Sequence, residues 1–130
     1  MGLFDRLKRA RNDEVDPDER SPKLGIKYKD LMVVEQLVKA GADLSEPRHW
    51  IYYLYLPTET LAEQAATEAR AAGWEAEARP SADETSTQWC VVAEQHDVVF
   101  TPALLIDADN LFQGIADRLG GDYDGWEASV

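Results

Sequence analysis

The sequence has a single cysteine, Cys90, and two histidines, His49 and His96. One cysteine excludes an internal disulfide framework and fits a reducing compartment. Long apolar runs are missing as well, because the stretches at 50–56 and 98–106 are much shorter than a membrane-spanning helix. The N-terminus also lacks the apolar run and small-residue cleavage site of a secretory signal. We therefore expect a cytoplasmic protein that is not an integral membrane protein.

Basic residues are scarce in the second part of the chain. Residues 1–48 hold ten of the 13 Lys and Arg and ten of the 25 Asp and Glu. Residues 49–130 therefore carry three basic and fifteen acidic residues, which account for the whole net charge of -12. Because phosphate binding depends on Lys and Arg, this argues against direct nucleic-acid binding. A basic partner is electrostatically favoured, and the alternative is that the acidity only keeps the protein soluble.

The chain is long enough for one domain with a hydrophobic core, and we divide it at residue 27. Residues 1–11 form a short basic segment with few apolar residues, and residues 12–27 have the composition of a flexible acidic linker. Residues 28–130 form the predicted domain. Hydrophobic spacing and capping residues predict its elements in this order: a helix capped by Asp30, a strand over His49–Leu56, a helix from Thr58 to Gly73, strands at Trp74–Arg79 and Gln88–Glu94, a helix from Thr101 to Gly120, and a last strand within Tyr123–Val130.

After its first helix, the chain thus has the order β-α-β-β-α-β. Two split β-α-β units of this kind form one antiparallel sheet with both crossover helices on the same face. We therefore predict an α+β protein with a ferredoxin-like antiparallel sheet and an extra N-terminal helix.

Several segments of the predicted domain together resemble a known family. They are LVKAGADLSEPR, HWIYYLYLP, AAGWEAEAR, WCVVAEQ and, most specifically, DYDGWEASV after the long last helix. Their sequences and order are similar to those of the regulator of ribonuclease activity B, the protein inhibitor of ribonuclease E. The resemblance covers about residues 28–130. The chain departs from the family pattern after Trp126, where Glu127 replaces a glycine that precedes an acidic extension.

The resemblance implies a ferredoxin-like sheet and no enzymatic activity. It also implies binding to the arginine-rich, non-catalytic region of ribonuclease E, which slows RNA cleavage. An acidic protein is a physically reasonable partner for such a region. We therefore expect a non-catalytic regulator that acts through protein–protein contact and needs no cofactor.

The residues that carry chemistry do not form an obvious catalytic or metal site. The two histidines lie on different elements, with no pair at metal-ligand spacing in the sequence. Glu94, His96 and Asp97 follow a strand, where a solvated turn is the simplest interpretation. Cys90 lies in an apolar strand, so we predict that its thiol is buried and inert.

Two activities known on ferredoxin-like scaffolds are also disfavoured. An acylphosphatase needs an arginine in a phosphate-binding loop after the first strand, where this chain has Pro57, Thr58 and Glu59. An RNA-recognition module needs exposed aromatics among basic residues, and the charge here has the opposite sign. A small hydrolase of the acylphosphatase type and an orphan domain that self-associates remain the alternatives to the regulator.

Aromatic and acidic residues are the candidates for partner binding. Tyrosine and tryptophan are common at binding hot spots, although they are also frequent in cores. We predict a partner-binding set of Tyr53, Tyr55, Glu94, Tyr123, Asp124 and Trp126. The wider electrostatic complement to a basic partner comprises Glu59, Glu63, Glu75, Glu77, Glu94 and Glu127.

Overall fold

A computed structural model describes residues 16–130, so the basic segment at residues 1–11 lies outside the described residues. In chain order the elements are α1 (Tyr28–Lys39), β1 (Arg48–Leu56), α2 (Glu59–Ala71), β2 (Glu75–Pro80), β3 (Trp89–Val98), α3 (Pro102–Leu119) and β4 (Asp122–Ala128). Thr58 and Thr101 cap α2 and α3 as predicted, because their side chains accept hydrogen bonds from the amides of Leu61 and Leu104.

The four strands form one antiparallel sheet in the order β2-β3-β1-β4. Strand β3 lies between β1 and β2, and β1 lies between β3 and β4, so both β-α-β units are split. The predicted α+β class, the antiparallel sheet and the extra N-terminal helix are confirmed.

The two faces of the sheet have different environments. In β1 buried and partly exposed residues alternate along the whole strand, as the sequence predicts. The inward residues Trp50, Tyr52, Leu54 and Leu56 are each at most 1% exposed. The three helices of the described part of the chain join them in one hydrophobic cluster, to which α2 contributes four alanines and α3 contributes Phe112. The helices therefore cover one face of the sheet, and among residues 16–130 no helix covers the other.

Helix α1 is attached to the sheet by a buried hydrogen bond. The indole N–H of Trp126 in β4 donates to Oδ1 of Asp30 at 3.0 Å, and Asp30 is only 5% exposed. The prediction that Asp30 caps the helix is wrong, because the helix begins at Tyr28 and Asp30 lies inside its first turn. The carboxylate of Asp30 therefore accepts a hydrogen bond from the distant Trp126 indole and does not cap the helix.

This buried carboxyl should make stability depend on pH. Burial raises the pKa of Asp30, while the bond from Trp126 opposes the shift. Because the folded-state pKa lies above the unfolded value of about 3.9, this group stabilises the fold below about pH 4, and that stabilisation is lost as the pH rises through the folded-state pKa. Asp30→Asn keeps an acceptor for the indole and removes the charge. We therefore expect a higher Tm than wild type at pH 7, and a difference that shrinks as the pH approaches 4.

Thermal unfolding monitored by circular dichroism between pH 4 and 8 checks this expectation. Asp107→Asn on the exposed side of α3 is the control, because it removes the same charge from solvent-exposed surface. A lower Tm for Asp30→Asn at pH 7 would show that the charged form of Asp30 is the stabilising one.

Residues just before α1 pack onto the domain, although their composition predicts a linker. Ile26 is 1% exposed and belongs to the core. The buried carboxylate of Asp109 in α3 lies 2.8 Å from the Arg20 guanidinium and 3.1 Å from the Lys27 ammonium. These ion pairs hold residues 20–27 against α3, and one isolated β-bridge joins Arg20 to Lys27.

Candidate functional site

The uncovered side of the sheet, here called the open face, is defined by strand register. Directly paired residues of an antiparallel sheet point to the same side, so the outward residues of β1 identify their neighbours. Ile51 pairs with Glu94 and Glu127, Tyr53 with Val92 and Gly125, and Tyr55 with Cys90 and Asp122. Strand β2 adds Glu75, Glu77 and Arg79 opposite Glu94, Val92 and Cys90.

The centre of the open face is apolar and aromatic. Ile51, Tyr53 and Tyr55 are half-buried, while Val92 and Cys90 beside them on β3 are 9% exposed and do not belong to the main core. The Tyr53 hydroxyl donates to Oε1 of Glu127 at 2.6 Å, and this bond raises the pKa of Tyr53 to about 12. Both tyrosines therefore present large, uncharged surfaces near neutral pH.

Cys90 is buried on this face, as predicted, and is not disposed to react. Burial raises the pKa of its thiol, which lowers the fraction of nucleophilic thiolate at neutral pH. The neighbouring Cys90 in turn raises the pKa of Tyr55. The role of Cys90 on this face is therefore to pack beside Tyr55, its neighbour on β1.

Carboxylates surround this aromatic centre. The open face carries Glu75, Glu77, Glu94, Asp122, Asp124 and Glu127. The electrostatic influence of Asp124 on Tyr55 and Cys90 agrees with its position near them. Its one guanidinium, that of Arg79, is 3.1 Å from Glu77. The face is therefore strongly acidic, with an apolar centre large enough for aromatic and aliphatic contacts.

An irregularity in β4 determines which residues of the DYDGW segment lie on the open face and which lie on the core side. The register between β1 and β4 shifts between Tyr53 and Leu54, and Gly125 has φ of 100°. Such a bulge adds a residue and redirects the side chains that follow it. Asp124 consequently lies on the open face, whereas Tyr123 and Trp126 lie opposite Leu54 and Tyr52 on the core side.

The predicted binding residues are thus divided by the sheet. Tyr53, Tyr55, Glu94 and Asp124 come together on the open face. Trp126 is 9% exposed and packs at 5.5 Å from the ring of Trp50, and the hydroxyl of Tyr123 is buried. Glu59 and Glu63 of the wider acidic set lie on α2, on the covered side of the sheet. Ile51, Val92 and Arg79 also lie on this face but are outside the predicted set. The alternation of β1 places Ile51 beside Tyr53, whereas the positions of Val92 and Arg79 depend on strand register.

The two histidines lie on different strands, as the sequence indicates, but the fold brings them together. His49 at the start of β1 and His96 near the end of β3 stack with ring centroids 4.2 Å apart. Glu94, His96 and Asp97 do not form the solvated turn that we expected, because β3 continues to Val98. At the other end of β1, Pro57 and the capping residue Thr58 lead directly into α2, so the acylphosphatase-type arginine is missing there.

These features of residues 16–130 define a class: a small α+β domain whose described helices cover one side of an antiparallel sheet and leave an acidic, aromatic surface on the other. No helix within residues 16–130 is long and apolar enough to cross a membrane.

Residues 29–128 match the family described as Regulator of ribonuclease activity B, so the chain belongs to this family. The predicted resemblance is confirmed, and the protein is a member of a regulatory family that acts on ribonuclease activity. No curated protein sequence matches the chain significantly.

Proposed function

We propose that this protein is a non-catalytic, cytoplasmic regulator that binds a basic, arginine-rich segment of a ribonuclease of the E type through the open face. The observation that supports this most directly is that, among residues 16–130, the Tyr53 and Tyr55 rings share one helix-free face of the sheet with six carboxylates and one paired guanidinium. The family supplies the link to ribonuclease regulation.

Arginine-rich segments suit this surface for two physical reasons. The guanidinium group forms bidentate hydrogen bonds with carboxylates, and it also stacks on aromatic rings. Tyr53 and Tyr55 provide rings within the same surface as Glu94 and Asp124. Binding of this kind begins with long-range attraction, so its association rate and affinity should fall as salt is added.

Occupation of the open face would slow cleavage without any chemistry by this chain. Arginine-rich segments also attract RNA phosphates, so a protein bound there competes with RNA. The acidic surface itself repels RNA and leaves the nuclease as the target. Two copies meeting face to face would bring like charges together, which disfavours self-association through this surface.

The experiment is cleavage of a labelled RNA by ribonuclease E from the same organism, with this protein titrated in at low and at high salt. We expect saturable inhibition that weakens at high salt. A nuclease lacking its arginine-rich, non-catalytic region should be much less inhibited. Equal inhibition of both nuclease forms would contradict the proposed target segment, and cleavage unaffected by the protein would contradict the nuclease assignment.

Substitutions can locate the surface within the same assay. Tyr53→Ala with Tyr55→Ala should weaken inhibition by about 30-fold, which corresponds to about 2 kcal/mol, the scale of an interface hot spot. Glu77→Lys with Asp124→Lys should weaken it at least about tenfold, because both charges reverse within the surface.

Glu63→Lys with Asp107→Lys is the matched control, since it makes the same change in net charge at exposed positions of α2 and α3. We expect little loss of inhibition from this pair at physiological salt. Similar losses from both pairs would mean that net charge, and not the open face, determines binding.

A further inference from the structure

The histidine pair lies at one end of the open face, where an irregularity brings two strands together. Arg48 pairs with Val98 and Trp50 pairs with Gln95, so His96 and Asp97 both lie opposite His49. This is a β-bulge in β3, and Asp97 is the one non-glycine residue within 16–130 that has a positive φ, of 57°. Bulges redirect side chains and are frequent beside functional sites.

Two carboxylates face the stacked imidazoles. Nε2 of His96 lies 3.2 Å from Oε2 of Glu75 and 3.6 Å from Oε2 of Glu94. Nε2 of His49 lies 3.7 Å from the same oxygen of Glu94. The ligand atoms of His49, Glu94 and His96 all lie within 4.8 Å of one another. Three side chains from β1 and β3 thus converge, and Glu75 of β2 lies beside His96.

These separations are close to those around a single tetrahedral ion, and binding requires one of the two stacked rings to turn so that both nitrogen lone pairs point at the ion. Zinc bonds to imidazole nitrogen and carboxylate oxygen are about 2.0–2.2 Å long, so tetrahedral ligand atoms lie about 3.4 Å apart. The three nitrogen–oxygen distances in this cluster lie on either side of that value. Nε2 of His49 is also buried and has no hydrogen-bond partner in the structure, as expected of an atom positioned for a ligand.

We propose that His49, Glu94 and His96 form a binding site for a divalent transition-metal ion of the zinc type, with Glu75 as a fourth ligand. Imidazole ligands favour such ions over magnesium and calcium, which prefer oxygen. A cleft of about 360 Å³ lined by Glu75, Glu94 and His96 gives the ion access from solvent. The carboxylates of the open face add a favourable electrostatic field. This inference is independent of the proposed regulatory function.

Bound metal would fix three strands of the sheet at one end of the open face. Glu75 comes from β2, Glu94 and His96 from β3, and His49 from β1. A shared ion therefore links side chains that otherwise interact only through ring stacking and the nitrogen–oxygen contacts given above. The metal should raise the thermal stability of the folded chain, because binding to the folded state alone stabilises it by mass action.

The test uses the untagged, metal-free full chain and zinc chloride. Isothermal titration should show one Zn²⁺ bound per chain, and Tm should rise by about 5–10 °C at a hundredfold excess of free zinc over Kd. Co²⁺ as a spectroscopic probe should give the visible absorption of a four-coordinate site. The sequence has two histidines and both lie in this cluster, so any spectroscopic signal of imidazole bound to Co²⁺ must come from this site.

Variants decide between this site and scattered surface carboxylates. At the same zinc concentration, His49→Gln and His96→Gln should each weaken zinc binding at least about tenfold and reduce the rise in Tm by about half or more. Glu84→Gln, at an exposed position away from the cluster, is the control and should bind as wild type does. Circular dichroism without metal verifies that each variant is folded.

Two results would overturn the proposal. One is the absence of zinc binding by the wild-type chain at 100 µM metal, which would leave the histidines as a stacked pair with carboxylate partners. The other is equal zinc affinity of wild type and a folded variant lacking both imidazoles.

Discussion

Gly121→Ala is expected to destabilise the protein by about 3 kcal/mol or more. A Cβ at this position would overlap with the carbonyl oxygen of Tyr55 and would lie 2.7 Å from Cδ1 of Leu56. The first of these is a backbone atom of β1, so the clash cannot be relieved by a change of side-chain rotamer. Strand β4 would have to move away from β1, with which it pairs from Asp122 onward.

Gly114→Ala is the control that isolates this effect. Gly114 lies within α3, where an added Cβ would meet no atom within 4 Å. Alanine is favoured over glycine in a helix by about 0.5–1 kcal/mol, so this variant should be more stable than wild type. Urea unfolding followed by circular dichroism measures the free energy of unfolding of both variants. A Gly121→Ala variant within about 0.5 kcal/mol of wild type would show that the two strands are less closely apposed.

Trp126→Ala is expected to cost about 3–5 kcal/mol, the range for a large aromatic removed from a core. The indole packs on Trp50 and Tyr52, with ring centroids 5.5 and 6.1 Å apart, and its N–H donates to Asp30. Trp126→Phe should cost less, about 1–3 kcal/mol, because a ring remains but the buried carboxylate loses its donor.

Comparing stability with binding separates the role of this tryptophan from that of the open face. We expect Trp126→Phe to lower the free energy of unfolding and to leave inhibition of the nuclease unchanged while the protein remains folded. Tyr53→Phe is the counterpart, because it removes only the exposed hydrogen bond to Glu127 and should change stability little. Lost inhibition in a folded Trp126→Phe variant would mean that the core side of β4 also participates in binding.

Local sequence predicts the elements well where a strong pattern and a capping residue coincide. Alternation in His49–Leu56 assigns each residue of β1 to the correct face, because a strand with one covered side has a strict period of two. Thr58 and Thr101 mark helix starts for the same local reason. In contrast, the role of Asp30 is set by Trp126, 96 residues away, which no local pattern reveals.

The residues of the candidate site are harder to predict from the sequence than the fold is. Outward tyrosines are visible in the alternation of β1, and their acidic surroundings follow from composition. Which carboxylates share their face depends on strand order and register. The bulges at Asp97 and near Gly125 each invert the faces that simple alternation assigns to the residues beyond them. The histidine pair requires that β3 extend past the predicted end at Glu94 and pair with β1, which local sequence does not reveal. Tyr123, Asp124 and Trp126 are predicted together from residue type, and the bulge near Gly125 separates Asp124 from the two aromatic residues.

The ion pairs between residues 20–27 and α3 bear on how the protein should be shortened for study. The family match begins at residue 29, and a fragment trimmed to that limit would discard both cations that contact Asp109. A carboxylate only 2% exposed would lose its charge partners, and Ile26 would leave an unfilled space in the core. Fragments intended for crystallisation or for labelling near the N-terminus should therefore retain Arg20 and the residues that follow it.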